Sequence, residues 1–233
     1  MNGNFPVDKW AFGSPQLFDD RTHTELEDLL RTAETGLFPK GATLFREDQI
    51  ADGIFYLHRG MVKKYKVDNF NKEQIIYIAR SGEFVGYHAV LSGERYADTA
   101  TVIEDSEVSF IRKEAFLEVL EQSKELAGRL LKALSHEYAV LANTISVFTN
   151  RPVRERLAIT LIILLEKYRH MDESQSEPAI NLSRNDLANL VGASRENVIR
   201  YLSEFKEDRL IRTKGRKIWI LNLEGLVAMS NYQ

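Results

Sequence analysis

The spacing of apolar residues changes twice along this chain. Leu26, Leu29 and Leu30 share one face of a helical repeat, which predicts a short helix over residues 19–35. From Gly36 to Arg112 the repeat shortens. Runs rich in Val, Ile, Tyr and Phe at 43–45, 53–58, 61–67, 74–79, 99–102 and 106–111 alternate with turns marked by Gly41, Gly53, Gly60, Gly82, Gly86 and Gly93. Many short strands at even spacing predict an all-β sandwich or jelly-roll barrel. At Lys113 the helical period returns. Phe116, Leu117 and Leu120 make a short helix, and a long one follows from Lys124 to about Phe148. Its Leu126, Leu130, Leu134, Leu141, Ile145 and Phe148 fall close to heptad spacing, and such a seam needs a partner surface. The seam can pack on its own β-domain or on a second copy of the chain. The prevalence of two-fold dimers favours the copy.

Asn150, Arg151 and Pro152 break the long helix, because proline lacks the amide proton the helix needs. Arg154 to Arg169 reads as a helix that is apolar on most sides and therefore buried. Residues 170–178 are polar and read as a surface loop.

The most informative stretch is residues 181–205, NLSRNDLANLVGASRENVIRYLSEF. Ser183 can cap a helix, with Asp186 completing a variant capping box. Leu187, Leu190 and Val191 are that helix's apolar face. Gly192 permits a tight turn, Ser194 can cap a second helix, and Val198, Leu202 and Phe205 turn inward. This is the layout of two helices crossing closely through a short turn. Arg195, Glu196, Asn197 and Arg200 are left facing outward at the start of the second helix. A recognition helix presents its N-terminal residues to base edges in the major groove, where Arg donates to guanine and Glu accepts from cytosine. Glu196 and Arg200, four residues apart, can also orient each other. A solvated charged face is the plainer reading of the same residues. Two apolar runs, 210–212 and 218–220, then flank a basic turn containing Lys214, Gly215 and Arg216. This hairpin is expected to place Lys214 and Arg216 against DNA phosphates, or only to stabilise the unit with a soluble tip.

Composition narrows the chemistry. The 233 residues include no cysteine, so disulfides and cysteine-held iron–sulfur clusters are excluded, which fits a reducing cytoplasm. Neither a secretion signal nor an apolar run long enough to span a membrane is visible. The net charge of −3 divides unevenly. Residues 150–233 hold 14 Lys and Arg against 11 Asp and Glu, a surplus of three positive charges, and the front of the chain is acidic. Only the back is therefore suited to a polyanion. Enzyme motifs such as a Walker loop, GxSxG or HExxH are missing, and Glu83 with Arg95 reads more simply as a structural ion pair or a remnant of a ligand site.

With these residues in view, the chain resembles the CRP/FNR family, the cyclic-AMP receptor protein and its relatives, over nearly its whole length. Residues 40–60 resemble the early β-roll, Gly82-Glu83-Phe84-Val85-Gly86 the opening of the phosphate-binding cassette, and Leu182 to Lys206 the DNA-reading motif. The resemblance implies an α+β architecture. It has a jelly-roll sensor domain (residues 12–123), a dimerisation helix (124–149) and a winged helix-turn-helix (150–233). Arg195, Glu196 and Arg200 match the family's base-reading positions, implying an inverted repeat of a TGTGA-like half-site. A homodimer on double-stranded DNA and contact with RNA polymerase are implied in the same way. In the effector cassette Gly82, Glu83 and Phe84 match, whereas Tyr96 and Ala97 stand where nucleotide binders have Arg and Ser, and Arg95 is one residue early. Leu141 and Ala142 replace the polar pair that would meet adenine. These departures argue against cyclic AMP, because a buried phosphate needs a paired cation. His88 and His136 are the histidines that haem sensing would use, although a lone histidine is far more often an ordinary residue.

Overall fold

The computed structural model describes residues 5–10, 23–169 and 177–231. The chain forms two compact units, Phe12–Tyr138 and a second made of Met1–Ala11 with Ala139–Gln233.

The first unit opens with helix α1 (His23–Arg31). Strands β1 (Glu34–Phe38), β2 (Thr43–Phe45), β3 (Gly53–Arg59), β4 (Met61–Val67), β5 (Glu73–Arg80) and β6 (Phe84–Val85) follow. Helix α2 (Tyr87–Ser92) precedes β7 (Thr99–Val102) and β8 (Ser106–Arg112). The strands form two antiparallel four-stranded sheets, ordered β1-β8-β3-β6 and β2-β7-β4-β5. Successive strands mostly switch sheets, the signature of the expected roll. Ile54, Leu57, Val62, Val102, Val108 and Ile111 fill the space between them. The helix predicted over 19–35 is shorter than expected. It ends at Arg31, and Glu34–Phe38 pairs with Ser106–Phe110 instead, because those amides gain a complete ladder beside β8. Residues 19–22 lie outside the described residues.

Helix α3 (Lys113–Gln122) leads into the long helix α4 (Lys124–Asn150). Its seam needs correcting. Leu126 and Leu130 are buried, on one face with Ala133, Glu137, Val140 and Val147. The exposed stripe is Leu131, Tyr138, Leu141 and Ile145, with Leu131 at 67%, Tyr138 at 76% and Ile145 at 64% exposure, and the half-buried Leu134 and Phe148 border it. Steps of four from Leu126 to Leu130 to Leu134 advance about 40° each around the helix, so they drift from one stripe to the other. Alternating steps of three and four stay on one.

The second unit contains the rest of α4, α5 (Val153–Arg169), β9 (Ile180–Asn181), α6 (Arg184–Val191), α7 (Arg195–Glu207), β10 (Ile211–Lys214), β11 (Lys217–Ile220) and α8 (Leu223–Met229). Helix α5 buries Leu157, Ala158, Leu161, Ile162 and Leu165, as its all-round apolarity predicts. The first described residues of the chain also belong here. Phe5 and Trp10 are buried and stacked, and Asn143 Nδ2 donates to the Lys9 carbonyl at 3.1 Å. Among the described residues no helix is long and apolar enough to cross a membrane.

Candidate nucleic-acid interface

Local chemistry builds the two helices as the sequence predicts. Ser183 sits in extended backbone, and its Oγ accepts from the Asp186 amide at 3.0 Å and donates to the Asp186 carboxylate at 2.5 Å. Helix α6 stops at Gly192, whose φ of +64° is the left-handed conformation that favours glycine. Ser194 Oγ accepts from the Asn197 amide at 3.2 Å and starts α7. Leu187, Val191, Val198, Leu202 and Phe205 are buried between the helices and their neighbours. The hydroxyls of Ser183 and Ser194 therefore serve first as caps.

Arg195, Glu196 and Arg200 are exposed on the opposite side of α7, and Asn197 is half-buried. Arg195 and Glu196 reach into solvent without a partner among the described residues. Arg200 does not pair with Glu196 as expected. Its Nη2 donates to Asn197 Oδ1 at 3.3 Å, its Nη1 lies 3.9 Å from Glu204, and its guanidinium stacks 4.4 Å from the centre of the Tyr201 ring. The side chain thus lies among Asn197, Tyr201 and Glu204, and Glu196 accepts no donor among the described residues.

The hairpin after α7 pairs Arg212 with Trp219 and Lys214 with Lys217, and Gly215 turns it at φ +59°. Strand β9 joins its other edge, with Asn181 opposite Lys217. One face of this small sheet carries the buried Ile180, Ile211 and Ile218. The other carries Arg212, Lys214, Lys217, Trp219 and Asn181, which with Arg216 line a hollow of about 570 Å³. Arg184, in the first turn of α6, donates from Nη2 to the Gly215 carbonyl and from Nη1 to the Arg216 carbonyl, each at 3.1 Å. That fork bolts the hairpin tip to the first helix and leaves the side chains of Lys214 and Arg216 exposed. Burial lowers the Arg184 pKa, and its two carbonyl partners compensate the lost hydration.

A second arginine escaped sequence reasoning. Arg156 of α5 donates from Nη2 to the Gly192 carbonyl at 3.0 Å, and from Nη1 to the carbonyls of Phe148 and Arg151 at 3.1 and 3.4 Å. It joins the last turn of α4 to the turn between α6 and α7. Nothing in its local spacing marks it, because its partners lie on other elements.

The candidate effector residues are not assembled into one site. Glu83 is buried with its carboxylate taken by the Tyr77 hydroxyl and by Arg80 Nε at 3.4 Å. Gly82 turns at φ +83°, and Phe84 packs on Tyr56 in the core. Arg95 is exposed and donates to the Asp48 carbonyl at 2.7 Å. Tyr96 is buried, stacks on Phe45 at 3.9 Å and donates to the Gly53 carbonyl at 2.6 Å, and burial pushes its pKa up to about 12. Ala97 is exposed, and Leu141, also exposed, lies on α4 in the second unit. A cyclic nucleotide held by a Glu and an Arg–Ser pair does not fit these residues. The position for its cation is a core tyrosine, and the neighbouring arginine holds backbone.

Sequence reasoning also missed a polar cluster beside Glu83. Glu137, buried on α4, accepts from the Tyr87 hydroxyl and pairs with His88 Nε2 at 2.7 Å. Burial and the two carboxylates Glu83 and Glu137 raise the pKa of both Tyr77 and Tyr87. Only a close look at Glu137, a carboxylate on the otherwise apolar face of α4, could have signalled it.

Comparison with known proteins agrees with this geometry. Residues 36–123 match the family model of the cyclic nucleotide-binding domain, and residues 155–229 match the Crp-like helix-turn-helix domain. The chain is 27% identical over 194 residues to the transcriptional activator protein anr of Pseudomonas aeruginosa, covering 83% of this chain and 79% of that one. It is 25% identical over 193 residues to the fumarate and nitrate reduction regulatory protein of Salmonella typhimurium, covering 83% and 77%. Its fold is similar to that of FixK2 from Bradyrhizobium japonicum, with a TM-score of 0.78 and 20% identity over 87% of this chain and 99% of that one.

Proposed function

As a member of the CRP/FNR family of transcription regulators, this chain, we propose, works as a homodimer that reads an inverted-repeat operator. It carries a helix-turn-helix DNA-binding domain and is a regulator, not an enzyme. The observation that carries the reading is the free, exposed end of α7. Among the described residues Arg195 and Glu196 have no partner there, and Arg200 stands one turn on, over a helix pair locked by two serine caps.

In this reading residues 150–233 meet DNA. Arg195, Glu196 and Arg200 read bases, Asn197 holds Arg200, and Ser183, Ser194, Lys214 and Arg216 meet or position the phosphate backbone. Residues 124–149 make the dimer through the stripe from Leu131 to Phe148, which is too apolar and too long to favour standing in water. Two α7 helices then fit major grooves about one turn, ~34 Å, apart. Residues 12–123 act as the sensor. An effector there would bias the two orientations of the DNA-binding heads, a population shift driven by differential binding. The engagement of Glu83, Arg95 and Tyr96 within the protein supports an effector other than cyclic AMP, or none. RNA polymerase is the partner in activation, and the cytoplasm is the compartment that holds both.

The test is mobility shift on a duplex with an inverted TGTGA repeat and on its scrambled counterpart, with and without cyclic AMP, at stated salt. Selective binding without nucleotide is expected. Selectivity that appears only with cyclic AMP would overturn the effector reading, and none in either condition would overturn the half-site.

A further inference from the structure

Glu137 is a carboxylate on the buried face of α4, between Ala133 and Val140. Among the described residues its partners are the Tyr87 hydroxyl, which donates to Oε1, and His88 Nε2, 2.7 Å from Oε2. Both come from α2, so two consecutive side chains tie that short helix to the long one. Their rings stack at 4.1 Å, which fixes how they meet Glu137. The rest of the cluster is Tyr77 and Arg80 from β5 and Glu83 just before β6. Its charges do not balance without a proton. Glu83 has Arg80 Nε at 3.4 Å, whereas the cation paired with Glu137 among the described residues is His88, and only when its ring is protonated. A buried carboxylate with neither a cation nor a proton is costly. The His88 side chain is 45% exposed, so solvent can deliver and remove that proton. The tie also bears on the rest of α4. Tyr138, the next residue, stands about 100° further round the helix, in the exposed stripe with Leu141 and Ile145. The same helix continues into the second unit.

We propose that His88 and Glu137 form a proton-dependent latch that sets the roll of α4, and with it the direction of the dimer stripe and the affinity for the operator. The latch is closed while His88 carries its proton and opens when the proton leaves. It rests on the reading of the chain as a homodimer on an inverted repeat. The titratable and charged groups facing the pair are Tyr87 on α2, Tyr77 and Arg80 on β5, and Glu83 before β6. Burial and the two carboxylates raise the pKa of both tyrosines, so they stay donors and the change falls on the latch. Imidazoles change charge between about pH 5 and 8. The closed latch binds one proton more than the open one, so acid favours the closed state and base the open one.

The experiment compares full-length wild type, H88Q and E137Q at about pH 6 and about pH 8. Amide exchange over α2 and residues 130–140, corrected for its intrinsic pH dependence, reads the latch without DNA. Fluorescence anisotropy at fixed salt reads binding to a duplex with the inverted TGTGA repeat and to its scramble. Wild type is expected to lose protection at the higher pH and to bind the repeat about fivefold or more weakly there, with a much smaller change on the scramble. H88Q should behave at both pH values as wild type does at the higher one, because an amide donates without a charge. E137Q, neutral yet still able to accept from Tyr87, should keep the lower-pH behaviour at both. H88Q alters an exposed side chain and carries the test if E137Q melts early. A pH response absent from wild type, or kept in full by H88Q, overturns the proposal, as does exchange that changes while affinity for the repeat does not. Failure to prefer TGTGA over the scramble would count against the operator reading, and the exchange then decides the latch by itself.

Discussion

Arg156 Nη2 lies 3.0 Å from the carbonyl oxygen of Gly192, and the same guanidinium holds the carbonyl of Phe148 at 3.1 Å. One side chain thus satisfies the end of the long helix and the turn that sets the angle between α6 and α7. Desolvation lowers its pKa, and the hydrogen bonds to three carbonyls offset that cost. Arg156→Gln removes the charge and the fork. It is expected to lower stability by about 1–3 kcal/mol and to loosen the turn, measured as a lower midpoint in chemical denaturation and faster amide exchange at Ala193 and Ser194. An unchanged midpoint would remove Arg156 from this role.

Arg200 is positioned by Asn197, Glu204 and Tyr201, and its side chain stays more than half exposed, so each terminal nitrogen keeps a second N–H for a base. Arg200→Ala should cost about 1–3 kcal/mol at its base pair and relax the preference there. Operator selection from a library randomised at that position would report it. Equal losses on specific and random DNA would count against base reading.

Lys214 is exposed at the hairpin tip. Lys214→Ala should weaken binding to every sequence alike and make the salt slope shallower by about 0.9. A slope equal to that of wild type would take the tip off the phosphates.

The stripe on α4 leaves Leu131 and Ile145 more than half exposed in the single chain. L131E/I145E changes no buried position. If this stripe makes the proposed homodimer, wild type is expected to sediment as a dimer and the variant to fold and sediment as a monomer. A variant that remained dimeric would place the interface elsewhere.

Tyr96 donates to the buried Gly53 carbonyl, and burial raises its pKa from 10.0 to about 12. A raised pKa means that the folded state binds the proton more tightly. The stabilisation is whole below about pH 10 and is lost as pH rises toward about 12. Tyr77 and Tyr87 shift in the same direction. Tyr96→Phe should lower stability at pH 7 by about 1–3 kcal/mol, because the carbonyl loses its donor. It should also flatten part of the loss between pH 10 and 12, followed by thermal denaturation across that range.

The helix-turn-helix was legible in the sequence because its causes are local. Ser183 and Asp186, Gly192, and Ser194 and Asn197 act within a few residues of one another, and the 3.6-residue period shows which side is buried. The β-roll was legible as a class for the same reason, through short alternating runs between glycines. Elements without a local pattern were not. The two-residue strands β6 and β9 exist only through their partners, and Glu34–Phe38 becomes a strand only because β8 lies beside it. The tertiary structure alone decided which charges meet. Arg184 reaches carbonyls 31 and 32 residues away, and the Tyr87 hydroxyl meets Glu137 across 50. It also decided which stripe of α4 stays exposed, since a helix with two apolar faces does not encode which one its own β-roll will cover. Contacts of that range depend on how strands and helices close on each other, and the chain carries no short-range signal for it.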